Sequence, residues 1–238
     1  TPYSLTAKSD LLRNLISNKP WQLELQGRIA DKPVNLELQL KHLDPTLVGT
    51  IKFDAKEVDI GHTLSWLGLV EGLDAYSNSL TFNADLHGSN LKDILDQSVF
   101  NLDLAEGHWN LHNPANNKSR KLTFSTATLV AESDKPVKLE FTGKIDDEAA
   151  QLELSSNRIS NFFTRLEKVH LDLIATLSHS KIKLTGDIDL PISDKSLIVD
   201  IEIKGKRLDH WNKLLENNIP PFGPYHFSGK FSVDPKGF

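Results

Sequence analysis

One stretch, Leu80–Leu111 (LTFNADLHGSNLKDILDQSVFNLDLAEGHWNL), limits what this chain can fold into more than any other. It opens with strict alternation. Leu80, Phe82, Ala84 and Leu86 are apolar, while Thr81, Asn83, Asp85 and His87 are polar. That is the pattern of a strand with one apolar and one wet face. Gly88 breaks the run. Ser89 and Asn90 suit a helix N-cap, and Asp93 puts negative charge in the first turn. Leu91, Ile94 and Leu95 then give a short helix one apolar side. Alternation returns with Phe100, Leu102 and Leu104. Gly107 reads as a turn, with Trp109 and Leu111 opening another strand.

The rest of the chain repeats this grammar. A helix is expected over Leu5–Asn18, carried by Leu11, Leu12, Leu15 and Ile16, and ended by Lys19-Pro20. Trp21–Gln26 alternates, Gly27 to Pro33 turns, and Val34–Leu40 returns as a strand. Val48–Ala55 is a third strand, and Ile60–Val70 a helix with Leu64, Trp66 and Leu67. Asn113–Arg120 is polar and turn-rich, as an exposed loop would be. Leu122–Ala131, Val137–Ile145 and Ala150–Leu154 read as strands. A helix follows with Ile159, Phe162, Phe163 and Leu166. Val169–Leu177, Lys181–Leu190 and Ser196–Lys204 form a further trio of strands. Leu208–Glu216 is a helix with Trp211, Leu214 and Leu215, and Tyr225–Val233 is the last strand. Ile51, Phe53, Lys56, Val58 and Asp59 align with Ile201, Ile203, Lys206, Leu208 and Asp209, and the order of elements around them recurs. Such repetition points to stacking along an axis.

The 238 residues suffice for one large or two ordinary domains. No apolar run is long enough to cross a membrane as a helix. With no Met and a Thr-Pro-Tyr start, the chain reads as an excised segment whose targeting signal lies upstream. The absence of Cys excludes disulfides, thiol catalysis and Cys-zinc sites. A net charge of −5 with interspersed signs argues against a nucleic-acid partner.

Candidate chemistry is sparse. His108 and His112 share a strand face with Glu106, but no HExxH, HxH or Cys partner accompanies them. Asp146, Asp147 and Glu148 form an acidic tip between strands, the usual composition of a solvated turn. Asp187 and Asp189 face one way on a strand. Gly61, Gly68 and Gly72 are too widely set to cradle a phosphate, and no GxSxG or EF-hand pattern occurs. We expect no enzyme activity, no cofactor and no metal.

The consequence of roughly a dozen alternating strands is a sheet with one continuous apolar face that must be covered. A second sheet could cover it, giving a sandwich. Alternatively the sheet curls into a trough that holds a ligand with hydrocarbon chains. Strands of roughly eight to ten residues make a wall of roughly 25–30 Å.

The segment Gly88-Ser89-Asn90-Leu91-Lys92-Asp93-Ile94-Leu95, followed by Phe100-Asn101-Leu102-Asp103-Leu104-Ala105-Glu106-Gly107, resembles the signature of the AsmA-like family of bacterial envelope proteins. That family usually has a Leu-x-Gly step after the helix, where this chain has Gln97-Ser98-Val99. The strand–Asp–helix junctions at Asp59 and Asp209, with Leu64 and Leu214 in the helices, resemble it more loosely. The resemblance implies a mainly β fold with short helices: an elongated, strongly curled antiparallel sheet, a β-groove built from repeats. Residues 1–238 would be one continuous groove segment, with candidate repeat units 1–118 and 119–238. It further implies a periplasmic protein anchored to the inner membrane upstream of this segment. Such a protein would hold or conduct phospholipid acyl chains between the two membranes and support outer-membrane homeostasis. Alternation assigns Phe82, Leu86, Leu102, Leu104, Leu139, Phe141, Leu173, Ile201 and Ile203 to the apolar face; that they touch lipid is implied by the resemblance alone. The competing reading is a closed β-rich scaffold that binds protein partners in envelope assembly.

Overall fold

A computed structural model describes residues 3–29, 31–62, 74–113, 118–158, 160, 168–189 and 197–233. Among the described residues the protein is mainly β with few short helices, and within each unit the antiparallel strands lie in chain order, each beside its neighbours in the chain. The chain divides into two compact units, Thr1–Lys135 and Pro136–Phe238.

The first unit holds β1 (Tyr3–Ser9), β2 (Trp21–Ile29), β3 (Lys32–His42), β4 (Leu47–Asp59), β5 (Asp74–Gly88), β6 (Val99–Asn113) and β7 (Lys118–Ala131). Helix α1 (Leu12–Ile16) joins β1 to β2, and α2 (Leu91–Gln97) joins β5 to β6. The expected cap of α2 is present: the Asp93 backbone N–H donates to Asn90 Oδ1 at 3.0 Å, which satisfies one of the free donors of the first turn.

Three sequence expectations are corrected here. The helix expected over Leu5–Asn18 is only α1, and Tyr3–Ser9 is a strand paired with β2. Leu5 and Ala7 alternate with Thr6 and Lys8, so the edge strand satisfies its backbone on β2 instead of within a helix. The turn expected over Gly27–Pro33 does not include most of those residues, because Gly27 pairs with Val34, Arg28 with Pro33 and Ile29 with Lys32 inside the ladder. Gly107 is no turn: β6 runs through it without a break.

The reason for the third correction is local. Pairing steps over Glu57, Asn78, Glu106 and Ser125 at one level across four strands, with no change of register. Glu57 (φ 51°) and Glu106 (φ 49°) take left-handed backbone there, a conformation that costs non-glycine residues. Burial changes parity across this level. In β4 the inward positions are Ile51, Phe53 and Ala55 on one side and Val58 on the other. In β5 they are Leu80, Phe82 and Ala84, then Ala75 and Ser77. Gly107 lies just beyond, where a Cβ would strike the Tyr76 carbonyl oxygen and the Phe124 ring. Ser77 is fully buried and its hydroxyl reaches the carbonyl oxygens of Ser79 (2.8 Å) and Ala105 (3.0 Å), beside the interrupted ladder.

The second unit holds β8 (Lys138–Ile145), β9 (Glu148–Ser156), β10 (Lys168–Leu177), β11 (Ser180–Asp189), β12 (Leu197–Gly205) and β13 (Tyr225–Val233). Two of its connections are tight hairpins. Asp146 and Asp147 (φ 48° and 70°) turn β8 into β9, and Ser178 and His179 (φ 46° and 61°) turn β10 into β11. Both central residues of each turn have positive φ, which matches the right-handed twist of the flanking strands. The helix expected over Leu208–Glu216 is a 3-10 turn, Leu208–Trp211, followed by α3 (Asn212–Leu215). Trp211 Nε1 donates to Tyr225 OH (2.5 Å) and Ser180 Oγ (3.1 Å), and Leu214 is buried. The two aligned Asp residues diverge. Asp59 ends β4 and accepts from the His62 backbone N–H at 2.8 Å. Asp209 lies in the 3-10 turn, where the Arg207 guanidinium grips it through two nitrogens and holds its carboxyl below the usual carboxylate range. The helix expected over Ile60–Val70, from residue 63 on, and the one carrying Ile159, Phe162, Phe163 and Leu166 lie outside the described residues.

Candidate functional site

Directly opposed residues in an antiparallel ladder share a face, so the register turns alternation into rows. In the first unit, Leu25, Leu36, Phe53, Phe82, Leu102 and Leu129 stand opposite one another from β2 to β7. A second row is Leu23, Leu38, Ile51, Ala84, Phe100 and Ala131. A third runs Val34, Ala55, Leu80, Leu104 and Ala127, and Trp21, Leu40, Gly49 and Leu86 close the face at the end near α1. In the second unit, Leu139, Leu154, Leu173, Leu184 and Ile201 form one row and end at Gly229. Phe141, Leu152, Ala175, Ile182, Ile203 and Phe227 form the next.

All the sequence-predicted lining residues therefore lie in such rows. Phe82 and Leu102 share one; Leu139, Leu173 and Ile201 share another; Phe141 and Ile203 share a third. Each of them is half-buried. The buried apolar residues include the small Ala55, Ala75, Ala84, Ala131 and Ala150, which close neighbours can cover without a second layer. Shallow clefts open over both faces: about 430 Å³ beside Gly27, Val34 and Ala55, and about 260 Å³ between Phe227 and Phe231 over Gly229. Leu25, Leu36, Phe53 and Leu129 belong with the predicted set. The same alternation marked them, but only the register shows that they are collinear with Phe82 and Leu102.

The opposite face is polar and internally bonded. Thr81 Oγ1 donates to Asp54 Oδ1 (3.0 Å), Thr128 Oγ1 to Asp103 Oδ1 (2.8 Å) and Thr185 Oγ1 to Asp172 Oδ1 (2.9 Å). His170 sits between two carboxylates, with Nδ1 at 2.7 Å from Asp187 and Nε2 at 3.4 Å from Asp172. The hydrogen bond to Asp187 raises its pKa above 6.5; partial burial opposes this, and the charge of Asp172 adds to the rise. On β12, Glu202 takes Lys204 (2.6 Å) and His226 (2.9 Å), and the Lys204 bond first of all lowers its pKa. These ion pairs run along a strand (Glu202–Lys204, His170–Asp172) or across to the next one (His170–Asp187, Glu202–His226) on a wet surface, and such pairs contribute little each.

The metal reading of His108, His112 and Glu106 gains no geometry. His108 stacks on Tyr76 with ring centroids 5.7 Å apart, and its Nε2 lies 4.0 Å from Asp74. Glu106 accepts from Asn78 Nδ2 at 3.0 Å. Among the described residues, no group of three or more His, Asp or Glu side chains could hold a metal ion. No helix among them is long and apolar enough to cross a membrane. In comparisons with known proteins, no family model, no curated protein and no solved structure matches the chain.

Proposed function

We propose that this chain is a segment of a periplasmic protein of AsmA-like type, and that its apolar sheet face holds phospholipid acyl chains. One observation carries this reading. The aligned rows of Leu, Ile and Phe run from strand to strand in each unit, yet their side chains remain half-buried. Apolar surface of that extent left in water is unfavourable, at roughly 25 cal/mol per Å². Hydrocarbon chains laid across the rows remove it. In this reading the sheet curls into a groove around the chains, no bond is made or broken, and the protein is no enzyme. Its partners are phospholipid and, through segments outside these residues, the inner and outer membranes.

Native mass spectrometry with lipid extraction, on protein purified without detergent, tests it. Phospholipid bound at defined stoichiometry is expected. Leu102→Asp combined with Phe141→Asp places a charge in one row of each unit and is expected to abolish binding while circular dichroism still reports a β fold. A lipid-free mass and no uptake of a fluorescent phospholipid would overturn the reading.

A further inference from the structure

We propose that the end of the first unit formed by α1, the β3–β4 turn and the start of α2 inserts into an uncharged lipid bilayer surface. Hydrogen bonds fasten these three tips to one another. Asn18, just after α1, accepts from the backbone N–H groups of Leu43 (2.8 Å) and Asp44 (3.3 Å) and donates to the Asp44 carbonyl (2.5 Å). Thr46 Oγ1 lies 3.2 Å from Ser89 Oγ, one residue before the cap of α2. The tips therefore present a fixed surface.

That surface is aliphatic and exposed. Ile16 (86 %), Leu91 (70 %) and Leu12 (66 %) are the three most exposed large apolar side chains among the described residues, and all three lie here. Leu11 (61 %) and Leu43 (45 %) join them. Isolated exposed leucines need no explanation; a cluster on linked tips does.

Three features favour a bilayer over a protein partner. The side chains are all Leu or Ile, whereas the anchors of protein interfaces are enriched in Trp, Tyr and Arg, with Leu under-represented. They project from separate tips across strands β2 to β5, roughly 14 Å at the usual strand spacing. A soft medium can close around such separate tips. The nearby charges balance, with Arg13, Lys19, Lys41 and Lys92 against Asp10, Asp44, Asp93 and Asp96. Attraction to anionic headgroups or polyanions is therefore not the driving force. The apolar row Trp21–Leu40–Gly49–Leu86 adjoins this end, so the surface continues the sheet face. The inference stands on the tips and does not require that the face bind acyl chains.

Flotation of the chain with phosphatidylcholine vesicles tests it. The protein is expected to float with them at low and high salt alike, and added phosphatidylserine should change little. Leu12→Ser/Ile16→Ser/Leu91→Ser is expected to lower the bound fraction about tenfold or more with thermal unfolding unchanged, since all three side chains are exposed. Ile174→Ser/Ile198→Ser, exposed residues in the second unit, should leave flotation intact. Failure of the native chain to float, equal flotation of the triple variant, or binding that needs phosphatidylserine and vanishes with salt would each overturn the proposal. Uptake of a fluorescent phospholipid presented as monomer reads the sheet face separately; the triple variant should retain it.

Discussion

The two units build the same kind of apolar face in different ways. Strands β4 to β7 of the first unit are 13 to 15 residues long and change the phase of burial partway along. Strands β8 to β13 of the second run 8 to 10 residues, and β8 and β10 keep one phase throughout. Short strands can keep one phase from end to end. Long ones must absorb a step in the alternation, and the first unit does so at the level of Glu57 and Glu106 with left-handed backbone, a buried serine and a glycine. The difference teaches that a phase change in an amphipathic pattern need not end a strand.

The largest expected effect breaks the first unit at that step. Gly107→Val would drive side-chain atoms into the Tyr76 carbonyl and the Phe124 ring. A core this close-packed loses about 3 kcal/mol or more on such overpacking, read as a fall in the urea midpoint. Gly229→Val in β13 is the matched control, since a Cβ there meets nothing within 4 Å. It is expected to stay within about 0.5 kcal/mol of the parent. Equal losses at both glycines would show that the step at Gly107 is not special.

Ser77→Ala comes next. It removes the hydroxyl that serves the Ser79 and Ala105 carbonyls at a fully buried position. The expected cost is about 1–3 kcal/mol. A smaller gain is expected in the second unit. Asp147→Gly relieves a left-handed residue at the β8–β9 turn (φ 70°) and should raise stability by about 0.5–1 kcal/mol. No change on that substitution would mean that the aspartate already meets the turn's requirement through its own side chain.

How much of this was legible in the sequence follows from the same contrast. In the second unit the strands over Val169–Leu177 and Tyr225–Val233 are where the sequence pattern puts them, and β10 keeps one burial phase throughout. In the first, Gly107 reads as a turn before Trp109 and Leu111, yet the apolar positions only shift there from even (Leu102, Leu104) to odd (Trp109, Leu111) within one strand. The shift was visible, but its cause, a single left-handed Glu106 inside a continuous strand, leaves no residue-type signal. The strand Tyr3–Ser9 was hidden by the apolar stripe of α1 that follows it. Alternation also put Phe82, Leu102 and Leu173 on an apolar face. It could not show that these residues fall into rows across five or six strands, since that depends on pairing partners far along the chain.

The smallest expected effect sharpens the comparison through pH. The second unit carries His170 between Asp187 and Asp172, bonded across β10 and β11. Its folded pKa lies above the ordinary 6.5, chiefly through the Asp187 hydrogen bond. A raised folded pKa means that the folded state binds the proton more tightly. The added stability is therefore complete below 6.5 and is lost as pH rises through the folded value. The imidazole is about half exposed (48 %), so solvent screening limits the effect to about 0.5 kcal/mol or less. His170→Gln should remove this slope from a plot of midpoint against pH between about 5 and 8. A slope that survives the substitution would place the titrating group elsewhere, and a native slope of opposite sign would mean that burial outweighs the two carboxylates at His170.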